Sequence, residues 1–130
     1  MVFMLQLEVV DRLCATPGIK NYGRLSIMSQ YHCQVDKLFK VPATAFKPQP
    51  KVESAIVRLV PMDKPPAEAS DPDLLETVVR TAFSQRRKTL QNSLKTLVEK
   101  SLLEDLGIDG QRRPETLTLA EYVSISNALG

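Results

Sequence analysis

The segment AFKPQPKVESAIVRLV, residues 45–60, joins a single aromatic residue, two closely spaced prolines and an apolar run. Pro48 and Pro50 fix their own φ angles and bias the residue before each toward extended geometry, so we expect a stiff, non-helical segment after Phe46. The run that follows mixes β-branched with polar or small residues, which is typical of a strand with at least one buried face. The sequence therefore predicts a strand with a rigid entrance.

Phe46 lies at the start of this stiff segment. Composition alone favours the ordinary interpretation, in which the ring fills part of the core. The alternative is a ring that is held still for binding, because the prolines limit its motion. The residues by themselves leave both interpretations open.

Two further strands are predicted around this one. Residues 1–5 form a continuous apolar run, which suits a central strand covered on both faces. Residues 34–41 are typical of a second strand, joined to the third by the proline segment. A bare outer edge on the opening strand would be an aggregation hazard. We therefore expect the C-terminal part of a longer α/β protein, and a chain that self-associates through this edge; a complete small α+β domain is the alternative.

Helical periodicity fills the remaining parts of the first region. Residues 7–16 carry one apolar stripe and stop at a Pro-Gly pair. Residues 23–33 carry another through Leu25, Met28 and Tyr31. The predicted order before residue 62 is strand, helix, helix, strand, strand.

A proline-rich segment separates this region from a helical one, which gives three parts: residues 1–62, a linker at 63–70, and residues 71–130. Asp71 and Pro72 predict a capped helix whose apolar stripe is Leu75, Val78, Val79, Ala82 and Phe83. Thr118 and Glu121 have the spacing of a capping box and predict the last helix.

Basic residues are densest in FSQRRKTLQNSLK, residues 83–95. Arginine interrupts the apolar stripe here, so we expect one helix to end near Ser84 or Gln85 and a second to bury Leu90, Leu94, Leu97 and Val98. The cations and amides predicted to face outward suit phosphate and ribose contacts, and the start of the second helix would add backbone amides. These candidates are Arg86, Arg87, Lys88, Gln91, Asn92 and Lys95, with Arg112 and Arg113 in a later loop. An ordinary solvated surface is the alternative.

Composition excludes several other classes of function. A net charge of +2 and a pI near 8.6 are mild, so affinity for nucleic acid depends on local clustering. Cys14 and Cys33 match no metal spacing or redox pair, and His32 has only Asp36 at helical spacing, so no metal site is predicted. No apolar run is long enough to span a membrane, and we expect a cytoplasmic protein.

Four segments, FMLQLEVVDRL, YGRLSIMSQYHC, VPATAFKPQPKVESAIVRLVP and AFSQRRKTLQNSL, occur in this order. Together they resemble the C-terminal half of the bacterial small-subunit ribosomal RNA adenine dimethyltransferases, relatives of the erythromycin-resistance methylases. The resemblance implies a Rossmann-like class I methyltransferase sheet followed by a small all-α domain that binds rRNA. It also implies an S-adenosylmethionine-dependent enzyme that dimethylates N6 of two adjacent adenosines in the 3′-terminal hairpin of small-subunit rRNA, in the pre-ribosomal 30S particle.

The resemblance gives Phe46 a role beside the catalytic pocket, where the family's aromatic residue stacks on the flipped-out adenine. Lys51 and the proline segment would fix that ring and contact nearby RNA. Gln49 interrupts the family's run of prolines, which loosens the segment slightly.

Two motifs of the family do not occur in the 130 residues: the glycine-rich cofactor loop and the Asn-Leu-Pro-Tyr catalytic motif. We therefore expect no cofactor-binding residues in this chain, no bound S-adenosylmethionine and no activity of the chain alone. Two other hypotheses stay open. One is a non-enzymatic RNA-binding or assembly module, as in the family's mitochondrial transcription factor branch, and the other is a purely structural α+β domain.

Overall fold

The computed structural model describes residues 1–45, 48, 51–85 and 87–130. Its strands are β1 (Val2–Gln6), β2 (Cys33–Val41) and β3 (Ser54–Pro61). Its helices are α1 (Leu7–Cys14), α2 (Arg24–His32), α3 (Pro72–Phe83), α4 (Leu90–Ser93), α5 (Lys100–Asp105) and α6 (Leu119–Leu129). Short 3₁₀ turns span Ala43–Ala45 and Pro114–Thr116.

The three predicted strands form one antiparallel sheet with β3 in the centre. The order is β1-β3-β2, with Met4 opposite Ile56 and Val35 opposite Leu59. One edge of β1 pairs with β3, and its other edge meets no strand in the described part of the chain. The prediction that β1 has a neighbour on one side only is therefore confirmed for these residues.

The two faces of the sheet differ in cover. Helix α1 places Val10 against Ala55 and Val57, and all three side chains are fully buried. The opposite face carries Val2, Met4, Phe39 and Val60, which are exposed. A bulge between Lys37 and Phe39 in β2 turns Phe39 to the same face as Ile56. This apolar sheet face has no cover among the described residues.

Helix α3 begins and packs as its sequence predicts. The Asp71 carboxylate accepts hydrogen bonds from the amides of Asp73 (3.1 Å) and Leu74 (3.3 Å), and Pro72 occupies the first turn. The predicted stripe lies in the main core, with Phe83 packed at its margin: Leu75, Val78, Val79 and Ala82 are fully buried. Thr118 and Glu121 form the predicted capping box of α6.

Helix α2 confirms its predicted stripe in part, since Tyr31 is buried and Met28 packs against the core. Leu25 is 44% exposed, whereas Ile27 and Tyr31 are buried. Apolar residues lie on both sides of this helix, so the helical period alone could not indicate which side is buried. Packing against α3 and α6 selects the side that holds Ile27 and Tyr31.

The predicted linker is held by both of its neighbours. The amide of Ala69 donates to the Tyr31 hydroxyl (3.4 Å), and the amide of Ser70 donates to Asn127 Oδ1 (2.8 Å). Asn127 Nδ2 in turn donates to the carbonyl of Glu68 (3.1 Å). Tyr22, Ile27 and Tyr31 of the first region belong to the core cluster of α3 and α6. The predicted domain bounds stay a prediction, and the contacts show that the two regions share one core.

Candidate RNA-binding face

Buried leucines anchor the segment that carries the basic cluster after α3. Leu90 and Leu94 are fully buried and anchor the segment, and Val98 is 4% exposed. Arg87, Lys88, Asn92 and Lys95 are exposed beside them. We call these four residues together with Arg113 the basic face.

The second helix of this region is shorter than predicted, because α4 ends after one turn at Ser93. The amides of Leu97 and Val98 both donate to the carbonyl of Leu94 (2.8 Å each). The segment after α4 therefore continues as tight turns. The predicted inward set is still correct, since Leu90, Leu94 and Val98 are buried and Leu97 packs against the core.

The backbone amides at the start of α4 have partners within the protein. Leu90 N donates to the carbonyl of Arg112 (2.7 Å), and Gln91 N donates to the carbonyl of Gly110 (2.9 Å). Asn92 N donates to the hydroxyl of the N-cap Thr89 (3.4 Å). The prediction that this helix start offers amides to an anion is therefore wrong. The loop at residues 110–112 satisfies the Leu90 and Gln91 amides, and no local pattern indicated that distant contact.

The Arg112 guanidinium makes several hydrogen bonds within the protein. Its guanidinium reaches both carboxylate oxygens of Glu121 (2.6 and 3.2 Å) and the carbonyl of Thr116 (2.6 Å). Burial alone would raise the pKa of Glu121, but hydrogen bonds from Arg112 and Thr118 outweigh it and lower that pKa. Arg112 thus ties the loop to the start of α6, and contact between Arg112 and RNA stays a prediction.

Arg113 belongs with the other basic residues in space. It is exposed, and its guanidinium donates to the carbonyl oxygen of Arg87. The structure therefore brings Arg87, Lys88 and Arg113 together, although 24 residues of sequence separate Lys88 from Arg113. Arg86 lies outside the described residues.

The candidates for the adenine pocket are in the first region. Phe46 lies outside the described residues, so its predicted role beside a flipped base stays a prediction. Lys51 is exposed in a bend just before β3. It belongs to a different part of the chain from the basic face.

A cleft of about 460 Å³ lies where the first region meets α3, and we call it the junction cleft. Its lining residues come from α1, the turn before α2, α2 itself and the end of α3: Glu8, Arg12, Lys20, Asn21, Gly23, Arg24, Leu25 and Phe83. Sequence reasoning gave no role to its three cations. Because they are spread over three elements, local sequence held no signal that they meet.

Two tyrosines lie in the core behind this cleft. Tyr22 packs edge to face on Phe83 at 6.4 Å, and burial, followed by the nearby Glu121 carboxylate, raises its pKa to about 12. The Tyr122 hydroxyl donates to the carbonyl of Pro114 (2.6 Å), and its pKa is raised chiefly by burial. Both side chains are neutral at physiological pH and serve packing.

Other kinds of site find little support in the part of the chain that the structure describes. It contains no group of three or more His, Cys, Asp or Glu residues that could hold a metal ion. Cys14 and Cys33 are free thiols there. No helix among these residues is long and apolar enough to cross a membrane.

Comparison with known proteins gives consistent matches. The sequence model of the family "ribosomal RNA adenine dimethylase" matches residues 1–130. The chain is 60% identical over 127 residues to ribosomal RNA small subunit methyltransferase A of Chromohalobacter salexigens, covering 98% of this chain and 45% of that protein. It is also 60% identical over 129 residues to the protein of the same name from Saccharophagus degradans, covering 99% and 48%. The chain thus spans about half the length of these curated relatives.

Solved structures agree on the architecture. A dimethyladenosine transferase from Plasmodium falciparum superposes with a TM-score of 0.79 at 27% identity, over 95% of this chain and 54% of that one. The 23S rRNA methyltransferase ErmE gives a TM-score of 0.68 at 24% identity, over 98% and 53%. At the latter identity the likeness concerns the fold alone. The chain therefore has an α/β methyltransferase-like fold.

Proposed function

Since the chain belongs to the ribosomal RNA adenine dimethylase family, we propose that it is part of an S-adenosylmethionine-dependent enzyme that dimethylates N6 of two adjacent adenosines in small-subunit rRNA. The observation that carries this proposal is the match of the family model along residues 1–130. The target is the 3′-terminal hairpin, reached in the cytoplasm within the pre-ribosomal 30S particle.

We further propose that the chain corresponds to the C-terminal half of such enzymes, with the cofactor loop and the Asn-Leu-Pro-Tyr motif in residues that precede it. The order of the four segments that resemble the family supports this position. So does the order along the chain, in which the sheet precedes helices α3 to α6. The chain alone would then neither bind S-adenosylmethionine nor methylate RNA.

The chemistry of the reaction explains why Phe46 belongs to the proposed site. The lone pair of adenine N6 is delocalised into the ring, so N6 is a poor nucleophile. An enzyme must therefore hold the flipped base with N6 in line with the methyl group of the cofactor, and positioning supplies much of the rate enhancement. A stacked aromatic ring at Phe46 would provide that positioning, with Lys51 beside it.

The basic face is proposed to bind the RNA backbone at a distance from the reacting base. Arg87, Lys88 and Arg113 are exposed and adjacent, which suits contact with successive backbone phosphates. Asn92 and Lys95 extend the same surface, and Arg86 is proposed with them from the sequence. Arg112 contributes by holding the loop that carries Arg113.

A methyl-transfer assay tests this proposal. The full protein that carries this chain, incubated with labelled S-adenosylmethionine and an rRNA hairpin containing the two adenosines, should yield N6,N6-dimethyladenosine after nuclease digestion. A hairpin with guanosine at both positions is the matched control and should accept no label there. Equal labelling of both hairpins, or no labelling of either RNA or 30S particles, would contradict the proposed reaction.

A further inference from the structure

The junction cleft carries an excess of positive charge. Arg12, Lys20 and Arg24 line it, and Glu8 is the one acidic side chain among its described lining residues. Arg12 pairs with Glu8 at 2.9 Å, and Arg24 pairs with Glu76 at 2.8 Å, with about half of each arginine side chain exposed. Exposed pairs of this kind add little stability, so an incoming phosphate can compete for either guanidinium.

Hydrogen bonds between neighbouring elements fix the walls of the cleft. The Ser26 hydroxyl is fully buried, accepts from the amide of Gly23 (3.2 Å) and donates to the carbonyl of Arg12. It thereby joins the end of α1 to the turn that carries Lys20. The same turn is tied to the helical region by the bond from Gly18 N to the carbonyl of Glu115 (2.7 Å). A site held in this way loses little conformational freedom when it binds.

Two short stretches of chain connect the cleft with the basic face. Phe83 lines the cleft and ends α3, and the chain reaches Arg87 four residues later. On the other side, Glu115 contacts the turn of the cleft and lies two residues after Arg113. An RNA backbone that crosses the basic face is therefore close to the cleft.

We propose that the junction cleft binds a backbone phosphate of the RNA strand that crosses the basic face. This inference rests on the proposed function and adds a contact site to it. Each arginine guanidinium can donate paired hydrogen bonds to a phosphate, and Lys20 adds a positive point charge. The Asn21 amide at the rim provides a donor for a phosphate or ribose oxygen. The cleft volume lies within the range of small-ligand sites, so one ribose-phosphate unit can enter.

Filter binding of the rRNA hairpin to the full protein, repeated over a series of salt concentrations, tests the proposal. The double variant Lys20→Gln/Arg24→Gln should reduce the slope of log affinity against log salt by roughly 0.7–0.9, the value for one lost phosphate contact. At about 0.1 M salt this corresponds to an affinity roughly 5- to 8-fold lower. Glu8→Gln removes the acidic competitor of Arg12 and should strengthen binding.

The matched control is Lys64→Gln/Lys100→Gln, which removes the same charge from two exposed lysines outside the cleft and the basic face. Its slope should equal that of the unmodified protein. If it falls as much as that of the cleft variant, only net charge matters and the cleft is not a site. Arg12→Gln, read in the same assay, replaces the double variant if circular dichroism shows that the latter is unfolded.

A third variant separates the two proposals. Arg87→Gln/Lys88→Gln changes the basic face and should lower the slope whether or not the cleft binds RNA. If this variant lowers the slope and the cleft variant does not, the cleft inference is wrong and the basic face stands. If neither changes the slope, RNA binding by this surface is wrong as a whole.

Discussion

Glu121 of α6 is bonded to the N-cap Thr118 and to the loop residue Arg112, so its replacement should lower the free energy of unfolding. Its carboxylate accepts from the Thr118 amide (3.0 Å) in the capping box and from two nitrogens of Arg112. Its side chain is 27% exposed. Glu121→Gln keeps the size of the side chain but removes the charge, and the Arg112 guanidinium is left without its counter-charge.

The magnitude follows from the contacts that are lost. Hydrogen bonds to charged groups contribute about 1.5–3 kcal/mol, and exposure of a quarter of the side chain places this pair toward the lower end. We expect the free energy of unfolding to fall by about 2 kcal/mol, measured by urea denaturation. The melting temperature should fall by roughly 6–8 °C, between the sensitivities of smaller and larger domains.

The loss should depend on pH. The pKa of Glu121 is lower in the folded state than in the unfolded chain, so its charge stabilises the protein at pH values above the unfolded pKa. That contribution disappears as pH falls below about 4.3 and then through the folded pKa. The difference between the original protein and Glu121→Gln should be constant near neutral pH and shrink in acid.

The control for this experiment is Glu104→Gln, which makes the same change at an exposed position in α5. It should alter the free energy of unfolding by less than about 0.5 kcal/mol. The reasoning is refuted if Glu121→Gln is as mild as this control, or if its effect persists unchanged at acidic pH.

Three further outcomes are expected. In the full protein, Phe46→Ala should lower the methylation rate by about 5- to 150-fold, the equivalent of 1–3 kcal/mol of lost base stacking. The control variant Phe46→Tyr should retain most of the methylation rate. Near-normal turnover in the alanine variant would remove Phe46 from the site. Reversal of charge at Arg87 and Lys88 to Glu should weaken binding of 30S particles and flatten its salt dependence, and an unchanged slope would show these side chains to be bystanders. The 130-residue chain alone should self-associate in light scattering, because β1 pairs on one edge only among the described residues, and Val2 and Met4 are exposed. A monomer over a wide concentration range would show that this surface needs no cover.

Local signals in the sequence predicted local structure well. The cap at Asp71, the stripe of α3 and the capping box of α6 depend on residues within one or two turns, and all three are confirmed. The alternation in β3 likewise predicted a strand with one buried face. Each of these features is decided by neighbours along the chain.

Features that depend on distant contacts were not predicted. The amides of α4 are occupied because residues 110 and 112 fold back on Leu90 and Gln91, and no local pattern announces that contact. The junction cleft unites side chains from α1, α2 and α3 for the same reason. The buried face of α2 was chosen by packing, since periodicity allowed more than one.

The bonds of Asn127 also set an order for folding during synthesis. Its amide holds the backbone at Glu68 and Ser70, so this crossing between the two regions cannot close until the last turn of α6 has emerged from the ribosome. Burial of Tyr22, Ile27 and Tyr31 is delayed as well, because their partners in α3 and α6 are translated later. Nascent chains usually fold from the N-terminus in units. In this chain, α1 can cover Ala55 and Val57 as soon as β3 is available, whereas the core around α2 closes only after α6 has been made.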